Sequence, residues 1–399
     1  MRTRNGSSTP RARTYFGYHG KEVPHYYHPE TGAFLYRPPR PHVLPLDNGD
    51  EPLRFVRLNF PSSQNLEGMF REVLTDWVHA LTKIGSMRLK ILVNEGDQAR
   101  LAALMQDLPP GLRARIEPVP IAGDNHVRPW PRDPSVLLAG GRKLLLPRAR
   151  MLGHEEEEHE HPQRIADYFG VVEKYAHAAG LPLERSAFRF EGGNILVGRR
   201  HVFVGSDIVQ NAMADYDITE EEAVAALSRE FGRPVLSIGR RDAQHPRSEL
   251  RQPRQHIDLA MAVVRDRRSG REVVLLESPK LARDLLGDRL GSVEPEGALW
   301  RDDENSEADF DAARRALRGE GYEVIDVPGL TTGWASSLNY TNAVLASGHA
   351  MIPQLDIPEL DVYAANVYRR LGYEVIPMRS ARRSLELNGG PRCLGEHCR

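Results

Sequence analysis

Four short segments of the sequence combine side chains that carry charge, exchange protons or act as nucleophiles. Each segment lies at the end of an apolar run that predicts a strand, so its polar side chains are expected at the mouth of a folded body. Carboxylates, an imidazole and a thiol together can perform acid–base and nucleophilic catalysis. The segments are Trp130-Pro-Arg-Asp133, Phe190-Glu191-Gly-Gly-Asn194, Gln255-His256-Ile-Asp258 and Leu387-Asn-Gly-Gly-Pro-Arg-Cys393.

Cys393 is the strongest candidate nucleophile. It follows Arg392 and the flexible pair Gly389-Gly390, which is a poor setting for a core residue. A neighbouring cation lowers the pKa of a thiol and raises its thiolate fraction. A lone cysteine is also often a small buried hydrophobe, and this alternative stays open. Cys398, the other cysteine, is expected to be frayed and incidental; a bridge between the two would close only a small loop.

His256 and Asp258 would face the same side if their segment is extended, because side chains alternate along a strand. The alternative is a histidine at a strand end beside a surface aspartate. Glu191 precedes Gly192-Gly193, where the backbone can approach a ligand closely, although a plain turn explains the pair equally well. Asp133 has the same ambiguity, since it follows Arg132 and precedes a proline.

The elements that position these residues follow a regular alternation from about residue 53. Strand pairs and single helices alternate about five times, which predicts one α/β body of ββαβ-like modules rather than a doubly wound sheet. No G-x-G-x-x-G follows a strand and no P-loop motif occurs. The predicted helices cover about 65–82, 97–108, 163–179, 219–231, 306–318 and 362–371, and the strands lie between them.

Residues 1–50 differ from the remainder of the chain, because aromatic residues, His and Pro follow one another there without periodicity. We expect residues 1–13 to be disordered and residues 14–50 to form an irregular arm on the body. Residues 51–399 are then a single catalytic domain.

Composition excludes several classes of protein. The 399 residues carry a formal net charge of −2, which gives no electrostatic footprint for nucleic acid or an anionic membrane. No apolar run is long enough to span a bilayer, and the N-terminus lacks the apolar core of a secretory signal. Two cysteines fit a reducing cytoplasm. The acidic run His154–His161 lacks a fixed ligand spacing, so it predicts a solvated helix start rather than a metal site.

Taken in order, the four segments resemble the guanidine-modifying enzymes of the pentein superfamily. The closest pattern is that of agmatine deiminases and bacterial peptidyl-arginine deiminases, which show W-x-R-D, E-G-G, H-x-D and a Gly-rich loop ending in Cys. The Gly-Gly-Pro-Arg-Cys393 ending resembles arginine deiminases, and Leu338-Asn339-Tyr-Thr-Asn342 resembles a further family stretch. The resemblance covers about residues 53–399 and implies a fold of five ββαβ modules around a pseudo-fivefold axis.

The resemblance also implies a mechanism and a role for each residue. Asp133 and Asp258 would bind a guanidinium, with Trp130, Arg132 and Asn339 completing the substrate site. Cys393 would attack the guanidino carbon, His256 would transfer protons, and Glu191 would orient the imidazole. The products would be a ureido compound and ammonia, with no metal or organic cofactor.

Several alternatives stay open after this comparison. An amine acceptor in place of water would make the protein an amidinotransferase, and a non-catalytic pentein or a cysteine peptidase fits less well. The flanking residues differ from those of agmatine deiminases, since Asp133 is followed by Pro-Ser-Val, so the guanidino substrate stays open. An arginine substrate needs a partner for its α-carboxylate, for which the candidates are Arg128, Arg132, Arg254 and Arg392. The family often forms homodimers.

Overall fold

The computed structural model describes residues 11–16, 22–27, 38, 40–148, 162–240, 250–293, 304–332, 336–346, 348–387 and 389–399. Its strands are β1 (Arg11–Phe16), β2 (Glu22–Tyr27), β3 (Phe55–Asn59), β4 (Arg88–Asn94), β5 (Ile116–Ile121), β6 (Val136–Leu137), β7 (Leu144–Leu146), β8 (Leu183–Arg185), β9 (Ile195–Val197), β10 (Val202–Gly205), β11 (Val235–Ile238), β12 (Met261–Arg265), β13 (Glu272–Ser278), β14 (Glu323–Thr332), β15 (Ser336–Asn339), β16 (Val344–Ala346), β17 (His349–Pro353), β18 (Glu374–Met378) and β19 (Glu396–Cys398).

The α-helices lie mainly between the strands, as the alternation in the sequence predicts. They are α1 (Glu67–Lys83), α2 (Gln98–Met105), α3 (Pro110–Arg113), α4 (Pro162–Ala178), α5 (Ser206–Tyr216), α6 (Glu220–Phe231), α7 (Ile257–Ala260), α8 (Pro279–Leu286), α9 (Glu304–Gly319), α10 (Pro358–Arg370) and α11 (Ala381–Leu385). The protein is therefore a mixed α/β fold with several small sheets.

Five of the small sheets in the described part of the chain share one pairing pattern. Two strands pair antiparallel, and a further strand joins them in parallel after a helical connection, which a parallel neighbour requires. The sheet orders are β6-β7-β8, β11-β10-β9, β12-β13-β14-β15, β16-β17-β18 and β19-β3-β4-β5. In four of these sheets the antiparallel pair and the parallel strand follow one another along the chain, whereas β19 joins β3 from the far end of the sequence.

The local sequence explains why these helices form where they do. In α1, Phe70, Val73 and Trp77 lie on one face at helical spacing and are buried. In α6, Thr219 and Glu222 form a reciprocal capping box at the start of the helix. The helices α5 and α8 were not predicted, because their short apolar stretches follow the strands β10 and β13 without a break.

The first strands correct one expectation. β1 and β2 pair antiparallel, with Arg11 opposite Tyr27. The prediction of an irregular arm is therefore wrong over these two strands, and the prediction of disorder is wrong over residues 11–13. Thr14, Tyr15, Val23 and Tyr26 are residues that favour extended backbone, and this preference outweighs the lack of periodicity. Residues 1–10, the acidic run His154–His161 and Asn388 lie outside the described residues.

The strand β19 corrects a second expectation, because Cys398 is neither frayed nor exposed. It pairs with Phe55 of β3 and is buried, while both cysteines are free. In the same strand Glu396 forms a buried ion pair with Arg57, whose Nη2 lies 3.0 Å from Glu396 Oε2. Since β19 begins three residues after Cys393, this pairing also fixes the end of the loop that carries Cys393.

Candidate active site

The Cys393 thiol lies in a buried polar environment. Its Sγ is 3.8 Å from Asp258 Oδ1, and Asn342 Nδ2 donates a hydrogen bond to it over 3.2 Å. Asn342 Oδ1 also accepts a hydrogen bond from the backbone N–H of Arg392 at 2.9 Å, so one amide holds both the thiol and its loop. Cys393 itself is only 2 % exposed.

His256 lies between Cys393 and two carboxylates. Its Nε2 is 2.7 Å from Glu191 Oε2, and its Nδ1 is 4.0 Å from Asp133 Oδ1. An ionised carboxylate can only accept a hydrogen bond, so Nε2 donates to Glu191. The other nitrogen, Nδ1, is then the one that can exchange a proton within the site.

The two loops that carry Glu191 and His256 are tied together by Asn194. Asn194 Oδ1 accepts a hydrogen bond from the backbone N–H of Ile257 at 3.0 Å, and Asn194 Nδ2 donates to Asp207 Oδ2 at 2.7 Å. His256 has an extended backbone and directly precedes α7, which contains Asp258. The segment is therefore not a continuous strand, yet both side chains still approach Cys393, because one turn of helix follows the extended residue.

Burial and neighbouring charges set the protonation of this group. Burial lowers the pKa of His256, but hydrogen bonds with Cys393 and Glu191 and the charge of Asp133 raise it well above its ordinary value. Burial, together with the charge of Asp258, raises the pKa of Cys393 to about 11 despite the neighbouring His256. The thiol is therefore protonated near neutral pH in the free protein, and the imidazole is charged.

The carboxylates of the site respond to the same surroundings. Burial raises the pKa of Asp133 to about 7, with Glu191 and Asp258 adding to the rise and His256 opposing it. Burial also raises the pKa of Asp258, against the cations Arg392 and His256. Within the described part of the chain, Asp133 Oδ1 is a buried oxygen with no hydrogen-bond partner. A cationic donor bound between Asp133 and Asp258 would offset the free-energy cost of burying these two carboxylates.

Glycines in the motifs allow the close approaches that the site requires. A Cβ on Gly193 would lie 2.4 Å from His256 Nδ1, and one on Gly389 would lie 2.2 Å from Cζ3 of Trp130. A Cβ on Gly390 would lie 2.6 Å from Asn342 Oδ1. Each of these glycines is thus required by packing against a residue of the site.

Arg132 and Asn339, two of the residues predicted to bind substrate, have partners within the protein. Arg132 is buried, donates to the carbonyl of Ile195 at 3.1 Å, and lies 3.9 Å from Asp258. Asn339 Nδ2 donates to Ser337 Oγ, and Asn339 Oδ1 accepts from the backbone N–H of Asn342. Asn339 therefore shapes the turn that presents Asn342, and Asn342 is the residue that contacts Cys393.

Trp130 borders both the Cys393 loop and a neighbouring narrow cleft. Tyr168 lines the same cleft, and its hydroxyl lies 3.3 Å from Glu191 Oε1. Arg128 is a further lining residue, with its guanidinium 5.9 Å from the centre of the Tyr168 ring. The cleft therefore reaches the site through Trp130 and Tyr168.

Three residues near the site were not predicted. Asn342 carries no local signal of a role, because it acts through a contact with Cys393, 51 residues away along the chain. Asp207 is a buried carboxyl beside Asn194, and burial raises its pKa to about 7. Asp47 lies in the segment expected to be an irregular arm, where no pattern marks it, yet it binds Arg392.

No helix among the residues that the structure describes is both long and apolar enough to cross a membrane. No cluster of three or more His, Cys, Asp or Glu side chains among them is arranged to hold a metal ion.

No protein-family profile matches the sequence, and a search of curated proteins finds no match. Solved structures do match. The agmatine deiminase of C. jejuni has a TM-score of 0.57 and 13% identity over 90% of this chain and 95% of that one. The agmatine deiminase of Enterococcus faecalis has a TM-score of 0.58 and 14% identity over 88% and 95%. A substrate-bound variant of the C. jejuni enzyme has a TM-score of 0.59 and 12% identity over 90% and 96%. The chain thus shares its fold with these agmatine deiminases.

Proposed function

We propose that this protein is a hydrolase that converts a guanidino compound into a ureido compound and ammonia. The observation that carries the proposal is the arrangement of Cys393, His256 and Glu191 beside two buried carboxylates, Asp133 and Asp258. A guanidinium is a planar cation with several N–H donors, so paired carboxylates can fix both its charge and its orientation. The agmatine deiminase activity of the structural neighbours supports the same class of reaction.

The reaction proceeds through a covalent intermediate on Cys393. A guanidinium bound at Asp133 and Asp258 offsets the carboxylate charge that opposes ionisation of the thiol. The thiol proton passes to solvent, because His256 is already protonated, and the thiolate then attacks the guanidino carbon. His256 gives its proton to the departing nitrogen, which leaves as ammonia and yields an S-alkylthiouronium. His256 next takes a proton from water, which attacks the same carbon. The C–S bond breaks with its electron pair returning to Cys393 Sγ, the added hydroxyl gives its remaining proton to solvent, and the ureido product leaves.

Glu191 and Asn342 support these steps without touching the reacting carbon. Glu191 accepts the Nε2 hydrogen of His256, fixes the orientation of the ring and favours its charged form. Asn342 donates to Cys393 Sγ and so stabilises a developing thiolate. Acid–base catalysis of this kind contributes about 10²–10⁴-fold to a rate.

Of the four candidate arginines, Arg128 is the one that lines the cleft beside Trp130 and Tyr168. A guanidinium can hold a carboxylate through two parallel N–H···O bonds, so this position supports Arg128 as the partner of a substrate carboxylate. For a substrate such as arginine, we place its α-carboxylate in this cleft.

The proposal extends to the whole chain. We take the sheets to be five modules around a pseudo-fivefold axis, with residues 51–399 as one catalytic domain. The repeated pairing of an antiparallel pair with a parallel strand supports this arrangement. A cytoplasmic homodimer is part of the same proposal, and sedimentation of the purified protein tests the oligomeric state.

The test is a colorimetric ureido assay with ammonia detection on the wild type and on Cys393→Ala. The panel contains arginine, agmatine, methylated arginines, arginyl peptides and guanidino acids, each with and without glycine or lysine as an amine acceptor. Ureido product and ammonia that are lost in Cys393→Ala support the hydrolase. Transfer of the amidino group that depends on an acceptor, without ammonia, would instead make the protein an amidinotransferase.

A further inference from the structure

Asp258 has two guanidinium groups of the protein itself as neighbours. Arg392 Nε lies 3.3 Å from Asp258 Oδ2, and Arg132 Nε lies 3.9 Å from the same oxygen. All three side chains are buried. A substrate guanidinium at Asp258 therefore has to share this carboxylate with a group of its own chemistry.

A second carboxylate, Asp47, binds Arg392 and so reduces the competition between Arg392 and a substrate guanidinium for Asp258. Arg392 donates from Nη1 to Asp47 Oδ1 and from Nη2 to Asp47 Oδ2, each over 2.8 Å. This two-point geometry is the strongest that an arginine makes with a carboxylate. Arg132 Nη2 also lies 3.9 Å from Asp47, so both arginines divide their charge between Asp47 and Asp258.

Asp47 is fixed in place and remains charged. Its backbone N–H donates to the Val197 carbonyl at 2.8 Å, and its Oδ2 accepts from the Val197 N–H at 3.0 Å, which anchors it on β9. Burial raises the pKa of Asp47, but Arg392 and Arg132 lower it by more, to well below its ordinary value. The carboxylate is therefore ionised throughout the working pH range.

We propose that Asp47 is a positioning residue: it holds the guanidinium of Arg392 and thereby leaves Asp258 available to the guanidinium of the substrate. Asp47 acts through Arg392. Without its charge, Arg392 would be compensated by Asp258 alone, and a bound cation would face an additional positive charge. The inference rests on the proposed function, since it requires a guanidinium at Asp258.

The test measures binding without turnover. In a Cys393→Ser background, methylguanidinium is titrated by calorimetry at constant ionic strength. We expect Asp47→Asn to raise the Kd about tenfold, which is the effect that one nearby charge commonly has on an ionic equilibrium. Adding Arg392→Gln to Asp47→Asn restores the charge balance and is expected to return the Kd to within about threefold of the Cys393→Ser parent.

A matched control separates charge from general damage. Asp309 is also a buried aspartate, and its Oδ1 accepts a hydrogen bond from Arg240 at 2.6 Å, but it is not among the largest influences on the pKa of Cys393, His256 or Asp258. Asp309→Asn is expected to change the Kd by less than about twofold. Thermal unfolding of each variant establishes that it is folded.

The outcomes differ for the two proposals. A Kd that is unchanged in Asp47→Asn, or an increase that Arg392→Gln does not reverse, overturns the role of Asp47 alone. A parent that does not bind methylguanidinium overturns the guanidinium site and the proposed function with it. If Asp47→Asn does not fold, Arg392→Gln alone decides: a Kd below that of the parent supports the role, and an equal or higher Kd overturns it.

Discussion

At Cys393, the surroundings that keep the thiol protonated also explain how a substrate would activate it. Burial and the charge of Asp258 raise its pKa, with Asp133 adding a smaller contribution, and His256 lowers it. A bound guanidinium would cancel the carboxylate charges and leave the favourable effect of the imidazolium. The thiolate would then form only when substrate is present, which protects the free protein from alkylation and oxidation.

We therefore expect slow alkylation of Cys393 by iodoacetamide in the free protein. Since the pKa is raised to about 11, the thiolate fraction should climb with pH without reaching a plateau below about pH 10. The rate is followed by peptide mass spectrometry, which distinguishes Cys393 from Cys398. The unfolded protein is the control. Its alkylation rate should be half-maximal near the ordinary thiol pKa of about 8.5 and level off above that pH. An alkylation rate of Cys393 that already levels off near pH 7 in the folded protein would contradict this account.

Glu191→Gln should weaken catalysis through His256. The hydrogen bond from His256 to Glu191 raises the imidazole pKa, so its loss lowers that pKa, and the proton that His256 must donate is then lost at a lower pH. We expect kcat to fall about 100-fold and the alkaline limb of its pH profile to move to lower pH. Glu173→Gln is the control, because Glu173 binds Arg185 away from the site. An unshifted alkaline limb would refute the role of Glu191.

At the scale of the elements, short loops between strands and helices bring the reactive side chains together. The Glu191 loop precedes β9, the His256 loop precedes α7, and the Cys393 loop precedes β19. Asn194 and Asn342 link these loops through backbone and side-chain hydrogen bonds. The site is therefore sensitive to the spacing between loops.

Gly193→Ala tests this spacing. The added Cβ would lie 2.4 Å from His256 Nδ1, so the imidazole must move. A displacement of about 1 Å in a catalytic group costs about 100-fold in rate, and we expect a loss of at least that size in kcat/KM. Gly170→Ala is the matched control: it lies in α4, and outside its own helical backbone and chain neighbours no atom lies within 4 Å of the added Cβ. It should keep full activity, and equal activities in the two variants would contradict the prediction.

The same loops show why the sequence predicts some of the site and not the rest. Asp133, Glu191, His256, Asp258 and Cys393 are visible because each interrupts or follows an apolar run with a reactive side chain. Asn342 is not visible, since an amide in a turn has many explanations and its contact with Cys393 is distant in sequence. Most strands of the body were predicted, because buried strands leave apolar runs, but the short helix α7 and the strand β19, which two of these loops precede, were not.

For the whole molecule, the pairing of β19 with β3 joins the last described strand to the first strand of the regular body. Arg57 and Glu396 are both about 1 % exposed and lie across this pairing. Ser135 donates to Glu396 Oε1 at 3.2 Å, so the second carboxylate oxygen also has a partner. Long-range closure of this kind cannot be predicted from local pattern. The pair of Asp47 and Arg392 could not be predicted from local pattern either, because 345 positions separate the two residues along the chain.

Glu396→Ala should therefore destabilise the protein strongly. Removing one partner of a buried pair leaves Arg57 uncompensated, and we expect a loss of about 3–5 kcal/mol in the free energy of unfolding by urea. Glu323→Ala is the comparison, because its pair with Arg271 is exposed and should contribute less than about 1 kcal/mol. Similar losses in the two variants would contradict the structural role of the buried pair.

The central claim is that Cys393 forms a covalent thiouronium, and mass spectrometry of the acid-quenched protein tests it most directly. The protein is mixed with the guanidino compound that gives most product, quenched during turnover and digested. The account predicts a Cys393 peptide that gains the mass of that compound less ammonia; a gain of the amidino group alone would indicate an amidinotransferase. Product formation with an unmodified Cys393, or an adduct on another residue, would contradict the account.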